Sequence, residues 1–242
     1  MKLSEGQNKP VPHLLASSHY LGFLIFMQLN LADLTPVKRY HVLSSLVVPR
    51  PIAWVTTLNE DGHVNAAPFS YFQLMGENPP LAVLGIGRRS DGSAKDSFRN
   101  IRRTREFVIN IVTEDNAELM NLCATDFPPG ESEVRALGLE TEPSVVVKPP
   151  RLSAAPAQLE GREVQTLLIG GNQVVMGELL VVHVRDEFIE AESLRVHTEK
   201  MGMIGRLQGG EAGGYSRTRD SFHMKRLTYG EWLALEEEKP GK

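Results

Sequence analysis

Pro51-Ile-Ala-Trp-Val-Thr-Thr-Leu58, Asn59-Glu-Asp-Gly62 and His63-Val-Asn-Ala-Ala-Pro68 follow one another without a break. The first block is rich in β-branched and aromatic residues, the second ends on Asp-Gly, and the third is extended again. Together they read as a β-hairpin. Working outward, residues 81–87 form a short apolar run behind Asn78-Pro-Pro80, and residues 106–112 form another of strand length. Both are expected as core strands. Between them, residues 96–105 place Phe98, Ile101 and Arg102 at helical spacing behind an Asp or Ser able to cap, which predicts a short helix. Residues 115–124, with Leu119, Leu122 and Cys123 at helical offsets, predict a second. Beyond a Pro-rich stretch from Pro143 to Pro156, the extended segments 158–169 and 172–184 meet at Gly170-Gly171, a second hairpin. Residues 228–238 predict a brief terminal helix.

The balance of elements is mainly β with peripheral helices, and 242 residues, 41% hydrophobic and 23% charged, suit a single compact domain. Twenty-six Lys and Arg against thirty Asp and Glu leave a net charge of −4. That offers no broad cationic surface, so neither nucleic acid nor an anionic membrane is an expected partner. The single cysteine, Cys123, rules out a disulfide within one chain and a multi-cysteine metal centre, and it suits a reducing, cytoplasmic compartment. It reads as a small buried apolar residue. The apolar run Tyr20-Leu-Gly-Phe-Leu-Ile-Phe-Met27 is too short to span a bilayer and lacks a small-residue cleavage site after it. Residues 1–26 are therefore read as an arm that folds onto the body or onto a second subunit, residues 27–225 as the body and residues 226–242 as a tail.

The most chemically informative segment is Gly87-Arg-Arg-Ser-Asp-Gly-Ser-Ala-Lys-Asp-Ser97. A strand end delivers Arg88 and Arg89, and Ser93, Lys95 and Ser97 arrive at the start of the predicted helix. Cations, hydroxyls and unpaired helix N–H groups at one place are what a phosphate monoester needs. A solvated charged loop, with Ser and Asp acting only as caps, accounts for the same residues. No Walker sequence occurs, Gly85-Ile-Gly87 lacks the third glycine of a dinucleotide fingerprint, and no Gly-x-Ser-x-Gly elbow is present. The seven histidines include no pair at zinc-protease spacing, so no metal site is expected. The glycine-rich stretch 205–217, holding Arg206, Tyr215 and Arg217, reads as either a ligand-binding loop or a flexible connector.

Five strings in order, Arg50-Pro-Ile-Ala-Trp-Val-Thr-Thr57, Asn65-Ala-Ala-Pro-Phe-Ser-Tyr-Phe72, Lys95-Asp-Ser-Phe-Arg-Asn-Ile101, Glu106-Phe-Val-Ile-Asn110 and Gly205-Arg-Leu207 with Tyr215, resemble the flavin reductase-like family of FMN-binding split barrels, which includes flavoredoxin. The resemblance spans about residues 28 to 220. It implies a split β-barrel homodimer with FMN in a groove at or near the subunit interface. Ser93, Lys95, Asp96 and Ser97 would surround the phosphate, with Arg88 a further candidate; Ser97 stands where the family usually has threonine. Asn65, Ala66, Ala67, Pro68, Phe69 and Ser70 would run beside the ribityl chain and ring, and Thr56 and Thr57 would contribute from the first hairpin. Arg206 and Tyr215 look like the family's late elements, although Gln208 and the inserted Glu211-Ala-Gly-Gly214 stretch the spacing. Trp54 and Phe72 are read as core packing rather than flavin stacking, and His183 as a strand residue satisfied by neighbours. The implied activity is NADH- or NADPH-dependent flavin reduction, with no protein catalytic residue because the chemistry is carried by the flavin. A small molecule or a protein would accept the electrons. The alternatives are a flavoredoxin-like FMN electron carrier reduced by a protein partner, and a flavin-free interaction protein.

Overall fold

The computed structural model describes residues 27–209 and 213–237. The expected arm (1–26), part of the glycine-rich loop (210–212, with Glu211 and Ala212 of the insertion) and the end of the tail (238–242) lie outside the described residues. In chain order the elements are α1 (Pro36–Leu46), β1 (Arg50–Pro51), β2 (Ala53–Leu58), β3 (Val64–Phe69), β4 (Phe72–Glu77), β5 (Pro80–Ile86), α2 (Asp96–Thr104), β6 (Glu106–Ile111), α3 (Ala117–Leu122), α4 (Glu133–Ala136), β7 (Thr141–Glu142), β8 (Arg151–Leu152), β9 (Ala157–Ile169), β10 (Asn172–Val184), α5 (Thr198–Met201), β11 (Ile204–Arg206), β12 (Tyr215–Arg217) and α6 (Tyr229–Glu237). Both expected hairpins, both expected helices of the body and the terminal helix are present within a few residues of their predicted bounds. No helix among the described residues is long and apolar enough to cross a membrane.

Seven strands form one antiparallel sheet in the order β3-β2-β6-β9-β10-β5-β4. Its two end strands, β3 and β4, are separated in the chain only by Ser70 and Tyr71, and the Gly85 N–H of β5 donates to the Tyr71 carbonyl at 2.7 Å. The sheet therefore curls round until its ends meet, making a barrel with a seam along β3. β2 lies between β3 and β6 and is buried from Ala53 to Thr57. Its side chains alternate between two cores. Ala53 and Val55 join Leu84, Ile86, Ile101, Phe107, Ile109 and Val175 inside the barrel, with Phe72 packed against them. Trp54 turns the other way, to Ala66, Met120, Cys123, Val134 and Leu152 beneath α3 and α4. Core packing thus accounts for both aromatics.

Inside the barrel one ring packs across two strands. Phe107 of β6 is fully buried, and a Cβ on Gly161 of β9 would come within 2.6 Å of its ring, one on Gly177 of β10 within 2.4 Å. Two adjacent strands thus forgo side chains so that one aromatic can lie across both. Register shifts between Met176 and Gly177 and between Leu179 and Val181 bend β10 around it.

The short elements α4, α5, β7 and β8 were not foreseen, and three larger features also depart from the expectations. α1 was not foreseen, although Thr35 caps it by accepting from the Lys38 N–H at 3.3 Å and Pro36 occupies its first position. β4 was not foreseen either; it is held by pairing with β5 rather than by a buried face. The glycine-rich stretch is not a loop throughout, because β11 and β12 pair with each other and β11 pairs with β1, forming a three-stranded sheet. Arg50 of β1 is buried and donates to the Ser44 and Val47 carbonyls at the end of α1, where the helix dipole favours a cation, and to Ser70 Oγ at 3.4 Å.

Candidate functional site

Among the described residues β3 has a single neighbour in the sheet, β2. By the alternation of an antiparallel ladder its even positions turn their backbone groups outward. The Val64 carbonyl takes the Ser132 hydroxyl, and the Ala66 N–H donates to Glu133 Oε2 at 2.9 Å. Pro68 comes next on that edge, the one place in a sheet where a residue without an N–H fits. The start of α4 thus covers the edge as far as Ala66 and leaves it open beyond.

The start of α2 faces this open stretch. Asn65 Nδ2 donates to Ser97 Oγ at 2.9 Å, tying β3 to the helix and leaving the serine proton free to be donated elsewhere. Lys95 is the residue before the helix, with Nζ 5.9 Å from the centroid of the Phe69 ring and no ion pair among the described residues. Arg89 reaches in from the turn after β5. Its Nη2 meets Asp96 at 2.7 Å, its Nη1 donates to the Phe127 carbonyl at 3.0 Å, and its buried Nε has no partner. Asp96 also pairs with Arg99 and accepts the Gly130 N–H at 3.3 Å.

Between these groups and the segment from Cys123 to Phe127 lies a cavity of about 110 Å³. At ~30 Å³ per water it has room on the order of four waters. That suits a phosphate and not a three-ring system, which would have to extend along the open edge of β3. An unpaired ammonium, a serine with a proton to donate, a guanidinium with an orphaned N–H and the free N–H groups of the first turn of α2 fit a phosphate ester. Glu133 completes the wall. Burial pushes its carboxyl above the ordinary range, against the Ala66 N–H, which favours the charged form; nearby Asp96 adds to the rise and Arg89 opposes it. A carboxyl biased toward neutrality is a better neighbour for an anion than a carboxylate. Burial also pushes the Cys123 thiol up to about 12, so at neutral pH it is an inert part of the wall.

The cavity brings together Asn65, Ala67, Pro68, Phe69, Lys95, Asp96 and Ser97 of the expected residues. Ala66 touches it only through Glu133. Arg88 and Ser93 lie outside its lining: the bridge between Arg88 and Ala94 turns Arg89 to the cavity, and Arg88 Nη1 bonds the Gly92 carbonyl at 3.1 Å. Thr56 and Thr57 are buried and do not line the cavity; Thr56 donates to the Pro150 carbonyl at 2.6 Å and Thr57 accepts from Asn100 at 3.0 Å. The Ser70 hydroxyl accepts from Arg50. Arg206 stacks over the Tyr215 ring at 4.7 Å, and the Tyr215 hydroxyl donates to Asn121 at 3.2 Å, two residues before Cys123 of the cavity wall. Arg89 belonged to the cation-rich segment read from the sequence, although only Arg88 was named beside the phosphate; Glu133 and the 123–127 wall are additions that the sequence reasoning did not assign to the site. The pair Arg88-Arg89 was visible in the sequence, but which one turns inward depends on the bridge; nothing local marks Glu133.

Comparison with known proteins gives likenesses of three kinds. Residues 44–204 match the family model described as the flavin reductase like domain. An uncharacterized protein of Deinococcus radiodurans is 44% identical over 208 residues, covering 84% of this chain and 91% of its own. Among solved structures, the 2-nitrobenzoate 2-nitroreductase of Pseudomonas fluorescens is 35% identical with a TM-score of 0.75, over 84% of this chain and 97% of that one. Nitrilotriacetate monooxygenase component B from Bacillus cereus is 28% identical with a TM-score of 0.78, over 83% of this chain and all of that one.

Proposed function

The chain belongs to the flavin reductase-like family of split barrels, and from that premise we propose that it is an FMN-binding oxidoreductase that takes electrons from NADH or NADPH. The family supports flavin binding and oxidoreduction; the site supports a flavin that carries a phosphate, of which FMN is the simplest. The observation that carries it is the phosphate-sized cavity in which Lys95 has no carboxylate partner and Ser97 keeps a proton to donate. Lys95 and Ser97 hold the phosphate, with Arg89 fixed beside them by Asp96 and Phe127. Asn65 sets the spacing between β3 and α2 through its bond to Ser97. The open edge of β3 from Ala67 to Ser70 lies alongside the rest of the cofactor, its proline and alanine allowing close approach. Bound FMN would supply two-electron acceptance from a nicotinamide and onward transfer to free flavin, a metal complex, another small acceptor or a partner protein. The chain's part is to bind and orient it.

The working unit in this proposal is a homodimer, in the cytoplasm. Exposed Val164, Leu168 and Ile169 on β9, Val182 on β10, and Leu74 and Met75 on β4 support a second copy as the covering partner. Light scattering on the purified protein reads the subunit count directly.

The test of function is an absorption spectrum of the purified protein, followed by anaerobic addition of NADH and NADPH to the FMN-loaded form. Rapid bleaching of the flavin band supports the reductase. A bound flavin that bleaches only when a reduced partner protein is supplied makes the chain an electron carrier, and a colourless protein that refuses added FMN removes the flavin altogether.

A further inference from the structure

Arg50 is a buried cation without a full counter-charge. It is 4% exposed, and no carboxylate pairs with it among the described residues. Its backbone is fixed by pairing with Arg206 of β11. Its Nη1 donates to the Ser44 carbonyl and, at 3.1 Å, to the Val47 carbonyl. These carbonyls lie at the end of α1, where the helix dipole sets roughly half a negative charge against one full positive charge. Its Nη2 is buried with no partner at all. Leaving a guanidinium in that state costs free energy, and a group of this kind calls for a use of its charge.

The remaining bond shows where the charge is directed. Arg50 Nε donates to Ser70 Oγ at 3.4 Å, at the far end of the β3 edge that begins at the phosphate-sized cavity. Because that oxygen accepts from Arg50, its own proton is free to be donated, and no acceptor for it lies among the described residues. Ser70 is half-buried while Arg50 is closed over, so the hydroxyl is what the cation presents to the edge. The charge is felt at that end of the strand. Burial raises the Tyr71 hydroxyl above its ordinary range, Tyr40 adds to the rise, and Arg50 opposes it.

We propose that Arg50 is a positioning residue for electron uptake, its charge acting through the Ser70 hydroxyl to favour the reduced cofactor. This rests on the proposed placing of the flavin along β3. A hydride leaving NADH or NADPH carries two electrons and one proton, so the donor gains one positive charge and the flavin ring one negative charge. A fixed donor backed by a cation stabilises the ring with the added charge more than the neutral one. The arrangement also gives α1 a task, since its last carbonyls hold the guanidinium in place without cancelling it. Lys95 and Ser97 meet a phosphate that is the same in both forms, whereas Arg50 tells the two forms apart.

The experiment measures the two-electron midpoint potential of FMN bound to the full chain, by spectrophotometric titration against redox dyes without oxygen. Wild type is compared with Arg50→Gln, Arg50→Lys and Ser70→Ala. Arg50→Gln should weaken binding of the reduced cofactor about tenfold relative to the oxidised one, a fall in potential of about 30 mV. Ser70→Ala should move the potential the same way by a smaller amount, and Arg50→Lys, which keeps the charge, should hold most of the wild-type value. Riboflavin, which has no phosphate, should give the same order. Should Arg50→Gln fail to fold because α1 loses its anchor, Ser70→Ala decides. An unchanged potential in Arg50→Gln or in Ser70→Ala overturns the proposal, as does a fall in Arg50→Lys as large as that in Arg50→Gln. A wild-type chain that takes up no flavin strikes the cofactor reading and this proposal with it, whereas a loaded chain whose potential ignores these changes strikes this proposal alone.

Discussion

Replacing Lys95 with alanine isolates the phosphate interaction better than any other change in the cavity. Its ammonium faces the cavity without a carboxylate partner, so its loss strands no opposite charge. Among the described residues the one side-chain interaction given up is with the Phe69 ring, worth about 0.5–1 kcal/mol, so the variant should fold normally. Arg89→Ala would be a poorer test, because it removes a partner from both Asp96 and the Phe127 carbonyl. A charge-assisted hydrogen bond is worth about 1.5–3 kcal/mol, or roughly 10- to 100-fold in Kd. Lys95 is only partly buried, which places the expected loss of FMN affinity near the lower end, about tenfold. Quenching of flavin fluorescence measures it, with riboflavin as the control. Riboflavin has no phosphate, so its affinity should be the same for both proteins, and the salt dependence of FMN binding should be shallower in the variant. Unchanged FMN affinity, or an equal loss for riboflavin, would refute the assignment of Lys95 to the phosphate.

Three further outcomes are expected. Burial raises the folded-state pKa of Glu133 above its unfolded value, so its favourable contribution is complete below the ordinary carboxylate range and is lost as pH rises through the elevated value. Denaturant midpoints of wild type and Glu133→Gln should therefore coincide at about pH 4 and separate in favour of the glutamine by about pH 8, and curves that stay parallel contradict the raised pKa. Cys123, its thiol pushed up to about 12, should resist iodoacetamide in the native protein at about pH 8 and react on unfolding, read by mass spectrometry. Gly177→Ala should destabilise the barrel by about 1–3 kcal/mol through collision with Phe107, measured by thermal or denaturant unfolding; an unchanged midpoint would mean that the ring can move aside.

What was legible in the sequence was what short-range chemistry determines. The first hairpin showed itself through β-branched residues and Asp-Gly, the second through Gly170-Gly171, which meets the positive φ of +58° at Gly170 in the turn. α2 was readable because Ile101 falls at helical spacing behind Asp96, and the cavity's main residues followed from the strings 65–69 and 95–97. α1 carried its start signal in Thr35-Pro36, but only Ser44 of its length is buried, so no apolar stripe announced it. β4 is exposed along most of its length, which erases the two-residue alternation that marks a half-buried strand. The choice between Arg88 and Arg89 turned on a bridge to Ala94, and the orientation of the Thr56 hydroxyl on a carbonyl 94 residues away. Glu133 enters through one bond to a strand edge on the far side of two helices, and no local pattern carries that.

The Phe107 ring resting on two glycines also constrains how such a barrel can change over generations. A larger residue at 161 or 177 collides with the ring, while shrinking the ring first opens a hole worth about 3–5 kcal/mol, a large share of the 5–15 kcal/mol that keeps a typical domain folded. Either single step falls into a fitness valley, so the three positions are expected to drift as one inherited unit. Anyone redesigning the interior would have to substitute them together.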